Sequence, residues 1–369
     1  MSTSEPVASG REQRILEIIE TARSKRPRFR DERITLAHGA GGKASQTLVE
    51  GLFVPAFAAG QSAALAALAD AGAVEVAGTR LAMTTDSFVV KPLRFPGGSI
   101  GELAVNGTVN DLAVSGARPL ALSVSMILEE GLDADLLRGE VDAIATAANT
   151  AGVEIVSGDT KVVERGAADQ MYVCTTGIGA IDPRAQQLAP DAIAAGDQIL
   201  VSGPIGEHGT AIMLARGQFD LDAEIESDTC SLWPAVDALL EAVGSDLHCL
   251  RDATRGGVAS VVNELARASG VAVVVREADV PVSPIVSAAA ELLGIDPMYV
   301  ANEGRLVAFV APQAADRALD ALKAVPRCER AAAIGQARPE PPGLVLMETS
   351  FGGRRVMDQL VGDPLPRIC

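Results

Sequence analysis

The sequence predicts an α+β protein of two domains, each a sheet backed by helices. Three observations lead there. The chain has 369 residues, more than a single core usually organises. From Ile34 onward, runs rich in Val, Ile and Thr alternate with runs of helical spacing. An internal echo pairs NDLAVSGA, starting at Asn110, with NELARASG, starting at Asn263, and each follows a Gly-Gly. Two related halves produce such an echo.

The elements follow in order. Residues 1–33 form an N-terminal extension. Ile15, Leu16, Ile18 and Ile19 have the spacing of a short amphipathic helix, and a poorly ordered tail fits the same residues. The first domain, 34–182, has strands at RLAMTTDSFVV (80–90), 121–130, 152–163 and 171–181. Its helices lie within 97–117 and from the cap residue Asp133 to about Thr150. The second domain, 183–343, opens on the strand GDQILVSG (196–203) and a helix at HGTAIMLAR. A helix around Trp233–Val243 precedes the strand, glycine turn and helix of 248–270. VAVVVREADV, SPIVSAAAELLG and EGRLVAFVA then read as strand, helix and strand. The stretch RPEPPG (338–343) is a stiff exit, and residues 344–369 read as a flexible C-terminal tail carrying Cys369.

Composition narrows the function. Apolar residues make up 48% of the chain, enough for sizeable cores. A net charge of −17 and 3% aromatics argue against a nucleic-acid or anionic-membrane surface. No run approaches the ~18 apolar residues that span a bilayer. Glu5, Glu12 and Glu17 stand where a signal peptide is apolar or basic. The five cysteines are odd in number and include no CxxC, which speaks against a disulfide framework and for a reducing cytoplasm. Negative charge remains compatible with a nucleotide bound through Mg²⁺ on carboxylates.

Four aspartates sit at strand ends or turns among small residues: Asp86 in TTDSF, Asp111 in VNDLA, Asp159 in SGDTK and Asp252 in RDATRGG. Singly, each reads as a turn or cap residue. Together, with Asn110 and Thr160 beside them, they can hold hard cations on triphosphate oxygens. HGAGGKA (38–44) exposes Gly41 and Gly42 backbone to an anion, without Walker spacing. Lys43 and Lys161 are possible phosphate partners. His208 in GEHG and Glu303 in ANEG lie among glycines, where backbone approaches a ligand closely. Each could equally be a helix-start or surface residue. The sequence ends PLPRIC, placing a thiol where it packs little.

Taken together, HGAGG, TTDSFVV, FPGGSIG, LAVNGT, NDLAVSGA, ILEEGL, SGDTKVV, GEHG, RDATRGGV, ANEG and PLPRIC resemble the HypE family of hydrogenase maturation proteins. That family belongs to the superfamily of aminoimidazole ribonucleotide (AIR) synthetase and selenophosphate synthetase. The resemblance covers Ile34 to Cys369 and leaves out the extension. It implies a two-domain PurM/AIR-synthetase-like fold. The N-terminal strands form a barrel across a homodimer, and ATP lies in the cleft between the domains.

The resemblance also implies a reaction: ATP-dependent dehydration of a carbamoyl group carried on the sulfur of Cys369, giving a thiocyanate. The carbamoyl group comes from a HypF-like donor, and the cyanide passes to a HypC–HypD-like acceptor for the iron of [NiFe]-hydrogenase. Pro364 and Pro366 stiffen the carrier arm, and uncharged Ile368 can enter a cleft without desolvating a charge. On the family's pattern, Asp86, Asp111, Asp159 and Asp252 are metal ligands. Gly41, Gly42, Lys43, Asn110 and Thr160 are nucleotide contacts. Lys161 stabilises the phosphoryl group, while His208 and Glu303 orient groups or move protons. The competing readings are another ATP-using member of the superfamily, selenophosphate synthetase-like or kinase-like, and a non-catalytic scaffold whose last cysteine binds metal or a partner.

Overall fold

A computed structural model describes residues 28–57, 69–217, 224–360 and 367–369. The helix weighed for residues 15–19 lies outside them. Helical turns from Lys43 to Phe57 lead towards the first sheet.

The first domain comprises β1 (Gly72–Val76), β2 (Thr79–Phe88), α1 (Ile100–Val114), β3 (Ala117–Glu129), α2 (Ala134–Ala151), β4 (Glu154–Val163) and β5 (Met171–Ile181). Its five strands are ordered β1–β2–β5–β3–β4. Asp133 starts α2 by accepting from the N–H groups of Asp135 and Leu136, and Gly152 ends it at φ +69°. The helix between them lets β3 and β4 run parallel. Helix α1 is apolar almost all round because it lies between this sheet and the second domain, with Ile100, Leu103 and Leu112 fully buried.

Along β2, Ala82, Thr84 and Phe88 are buried, while Met83, Thr85 and Ser87 are exposed. Among the described residues nothing covers that second face. It exposes Val74, Val76, Met83, Ile127 and Ile178. The edge strand β4 is exposed along nearly its whole length, including Ile155, Val156 and Val162.

The second domain contains β6 (Gln198–Val201), α3 (Glu207–Ala215), α4 (Trp233–Val243), β7 (Leu247–Asp252), α5 (Gly257–Ser269), β8 (Ala272–Arg276), α6 (Pro284–Leu293), β9 (Leu306–Val310), α7 (Ala315–Lys323), β10 (Ala332–Arg338), β11 (Val345–Glu348) and β12 (Arg354–Val356). Its seven strands are ordered β12–β11–β8–β10–β6–β9–β7. Helix α5 packs on one face, and α4 and α7 pack on the other. Covered on both sides, β9 (LVAFV) is buried at every position, which is why it reads as an unbroken apolar run.

The expected tail is shorter than 344–369. β11 pairs with β8, and β12 pairs with β11, so the sheet runs on to Val356. Strands of four residues (Val345–Glu348) and three residues (Arg354–Val356) are too short to display an alternation. The echoed segments occupy matching places: Asn110 on α1 and Asn263 on α5 are both buried and donate to backbone carbonyls. No helix among the described residues is long and apolar enough to cross a membrane.

Candidate active site

Asp111 projects from α1, Asp252 ends β7, and Asp70 lies two residues ahead of β1. One carboxylate oxygen from each lies within 4.8 Å of the others. Asp86, on β2, lies close enough to Asp111 and Asp252 to shift both. Asp70 was not among the expected ligands; a lone acid in LADAGA carries no pattern, and only the spatial meeting reveals it.

The electrostatics of this cluster are those of crowded acid. Burial pushes the Asp252 carboxyl up to about 8, and Asp70 and Asp86 add to the shift. Asp111 is raised well above the ordinary carboxylate range, by burial and then by Asp86, Asp252 and Asp70. The Thr84 hydroxyl lies 2.8 Å from Asp111 Oδ2. Arg251 pairs with Asp70, and Arg255 offsets Asp86 and Glu303. An all-oxygen donor set short of positive charge fits a hard divalent cation.

Asp159 stands elsewhere. Asp86 aligns across the sheet with Thr175, Val124 and Gly158. That is three strand spacings, about 14 Å. Asp159 is one residue past Gly158, so it projects from the opposite, uncovered face. Lys161 lies on that face too and pairs with Asp159; the two side chains are 66% and 62% exposed. Thr160 lines a groove with Val124, Met126 and Ile144 between β4 and α2.

The glycine loop lies against the second domain. Gly41 has φ +75°, and a Cβ there would stand 2.8 Å from that of Arg255. Arg255 donates to the Gly39 carbonyl at 2.8 Å. Gly42 caps the following helix, and the Lys43 ammonium is held by Asp358 at 2.7 Å. The Asn110 amide is fully engaged: Nδ2 donates to the Cys230 and Glu303 carbonyls, and Oδ1 accepts from Leu232 N–H. It stitches α1 to the second domain. Glu303 is buried, and its Oε1 has no hydrogen-bond partner among the described residues. Burial, then Asp252, Asp228 and Asp86, raise its affinity for a proton.

The chain's end enters the fold. Ile368 is 4% exposed and packs in a cluster with Phe95, Ile212 and Met213. Val89 N–H donates to the Cys369 carbonyl at 3.0 Å. Val89 lies three residues beyond Asp86, about 10 Å along the chain, so Cys369 ends near the carboxylate cluster. His208 Nε2 is 2.9 Å from the Ile368 carbonyl, and Nδ1 is 2.8 Å from Ser227 Oγ. A carbonyl only accepts, so Nε2 carries the proton. Nδ1 then accepts from Ser227, which itself accepts from Thr229 N–H. Burial lowers the imidazole's proton affinity and keeps it neutral. Both ring nitrogens are therefore engaged, one of them on the arm. Burial pushes the thiols of Cys230 and Cys249 up to about 11 and about 12, so neither forms a ready thiolate.

Residues 68–181 match the family model "AIR synthase related protein, N-terminal domain", and 194–345 match "AIR synthase related protein, C-terminal domain". Carbamoyl dehydratase HypE of Rhodobacter capsulatus is 49% identical over 342 residues, spanning 92% of this chain and 99% of that protein. A crystal structure of HypE in complex with ATP has a TM-score of 0.76 at 44% identity, covering 91% of this chain and 100% of that one. A HypE–HypF complex structure gives 0.80 at 40% identity, covering 85% and 99%.

Proposed function

The chain belongs to the HypE family of carbamoyl dehydratases, and from that premise we propose that Cys369 carries the group on which its chemistry acts. The protein is an ATP-dependent carbamoyl dehydratase of hydrogenase maturation. The single observation that carries the Cys369 assignment is the arm itself, with Ile368 buried and the Cys369 carbonyl hydrogen-bonded to Val89, three residues along the chain from Asp86.

An amide oxygen is a poor leaving group, so it must be activated. The carbamoyl oxygen attacks the γ-phosphorus of ATP, ADP departs, and one N–H proton is lost. The resulting isourea-like O-phosphate then loses phosphate and the second N–H proton, forming C≡N on sulfur. The cyanide serves the iron of [NiFe]-hydrogenase.

Asp70, Asp111, Asp252 and Asp86 would hold Mg²⁺, which neutralises triphosphate charge when bound. Glu303 is the proton acceptor, since it has a buried, unpartnered oxygen and raised proton affinity. His208 presents the arm through the Ile368 carbonyl. A homodimer closes the uncovered apolar face of the first sheet and brings Asp159 and Lys161 to the subunit boundary. We assign the phosphoryl-stabilising role of Lys161 to that boundary. The donor is a HypF-like enzyme, the acceptor a HypC–HypD-like complex, and the compartment the cytoplasm.

The test is intact mass. Protein carbamoylated on Cys369 should lose the mass of one water on incubation with ATP and Mg²⁺. Cys369→Ala should bind ATP normally and release no cyanide after denaturation. Normal cyanide yield from that variant would refute the assignment.

A further inference from the structure

Arg367 is gripped from both domains. Its Nη1 donates to Asp169 Oδ2 at 2.7 Å, and its Nε donates to the Val89 carbonyl at 3.1 Å. Lys91 Nζ donates to the same Asp169 carboxylate at 2.9 Å. From the far side, Arg216 Nη2 donates to the Arg367 carbonyl at 2.6 Å, and its Nε donates to the Lys91 carbonyl at 2.8 Å. Asp169 lies in the loop between β4 and β5, and Arg216 directly follows α3. Arg367 itself has φ +59°, a left-handed turn that an L residue adopts only when its surroundings impose it.

These contacts differ in kind from the apolar anchor beside them. Ile368 is sealed in the core, whereas the Arg367 and Asp169 side chains each keep 30% exposure. A half-exposed ion pair is weak and sensitive to salt. It can fasten an arm that must also leave. We propose that Asp169 and Arg216 are positioning residues that form a two-sided seat for Arg367, and so set how long Cys369 stays in its own cleft. The consequence for dehydration rests on the carrier reading of Cys369; the seat does not.

The experiment uses the full chain and follows alkylation of Cys369 by N-ethylmaleimide, resolved by peptide mass. Asp169→Asn and Arg367→Ala should each speed alkylation by up to about fivefold, the upper end for an exposed ion pair, and Arg216→Gln, which loses its hydrogen bond to the Arg367 carbonyl, should speed it by a similar factor. Arg367→Ala alters only the arm, so its result stands even if another variant misfolds. Arg367→Lys, which keeps a cation opposite Asp169, should retain more of the protection than Arg367→Ala, a difference that a merely structural side chain would not produce. Raising salt should speed alkylation of the parent protein more than that of Asp169→Asn. Single-turnover dehydration of carbamoylated Asp169→Asn should slow by a similar factor at unchanged ATP affinity. Unchanged alkylation in Asp169→Asn and Arg367→Ala, or equal alkylation of Arg367→Lys and Arg367→Ala, would overturn the seat. Loss of protection in the variants alongside a parent protein that never dehydrates would leave the seat standing and remove the carrier reading.

Discussion

A neutral imidazole locked in one tautomer is the clearest residue-scale feature of the site. His208 gives its one proton to the Ile368 carbonyl and takes one from Ser227, so its geometry is fixed at both ends. His208→Ala should lower dehydration about 100-fold, as a misplaced reacting group does, while ATP affinity stays within error. His208→Gln, which keeps a donor, should recover part of the loss. Equal loss of ATP binding would show that the histidine serves the nucleotide instead.

The cluster around Asp252 makes a pH prediction. In the cation-free fold its pKa lies near 8, against about 4 in the unfolded chain. The fold then binds the extra proton and is favoured below pH 4, and it loses that stability as pH climbs through 8. A divalent cation replaces the proton. Mg²⁺ should therefore raise the melting temperature more at pH 8 than at pH 5, and Asp252→Asn should shrink the difference. Equal Mg²⁺ shifts at both pH values in the parent protein would disprove the site.

At the scale of elements, the turn before α5 matters most. Gly256 and Gly257 have φ of +77° and +61°, and a Cβ on Gly257 would fall 2.5 Å from the Met298 carbonyl oxygen. Gly257→Ala should cost about 3 kcal/mol in urea unfolding, from strain and clash together. Gly270, at the other end of α5, also has positive φ but open space around it, so Gly270→Asn should cost under about 1 kcal/mol. Similar losses for both would deny the close approach. These elements were largely legible in advance. Asp133 and Gly152 bracket α2, and the buried run of β9 marks a strand covered on both faces. β11 and β12 were not, because pairing of β11 with β8 and of β12 with β11, rather than any local pattern, makes them strands.

On the scale of the whole molecule, the open face of the first sheet calls for a partner. Met83 and Ile178 are cross-strand neighbours there, and both are exposed. A sheet face in water ordinarily carries polar residues. Replacing both with Lys should convert a dimer to a monomer by light scattering and weaken phosphoryl transfer, because Lys161 shares that face. A parent protein that is already monomeric at micromolar concentration would defeat this reading.

The sequence by itself determined the alternation of strands and helices, the main helix caps and the family, and it singled out Cys369 as the residue to test. Each is written in neighbouring residues, since periodicity, capping and motifs are local properties of a chain. Only the tertiary structure decided which acids share a site. Asp70 joins Asp111 and Asp252 because α1 and β7 meet between the domains. Asp159 is parted from Asp86 because strand order sets their distance and side-chain alternation sets their faces. His208 meets a carbonyl 160 residues away. Burial of apolar surface fixes those long-range meetings, and no window of sequence contains both partners.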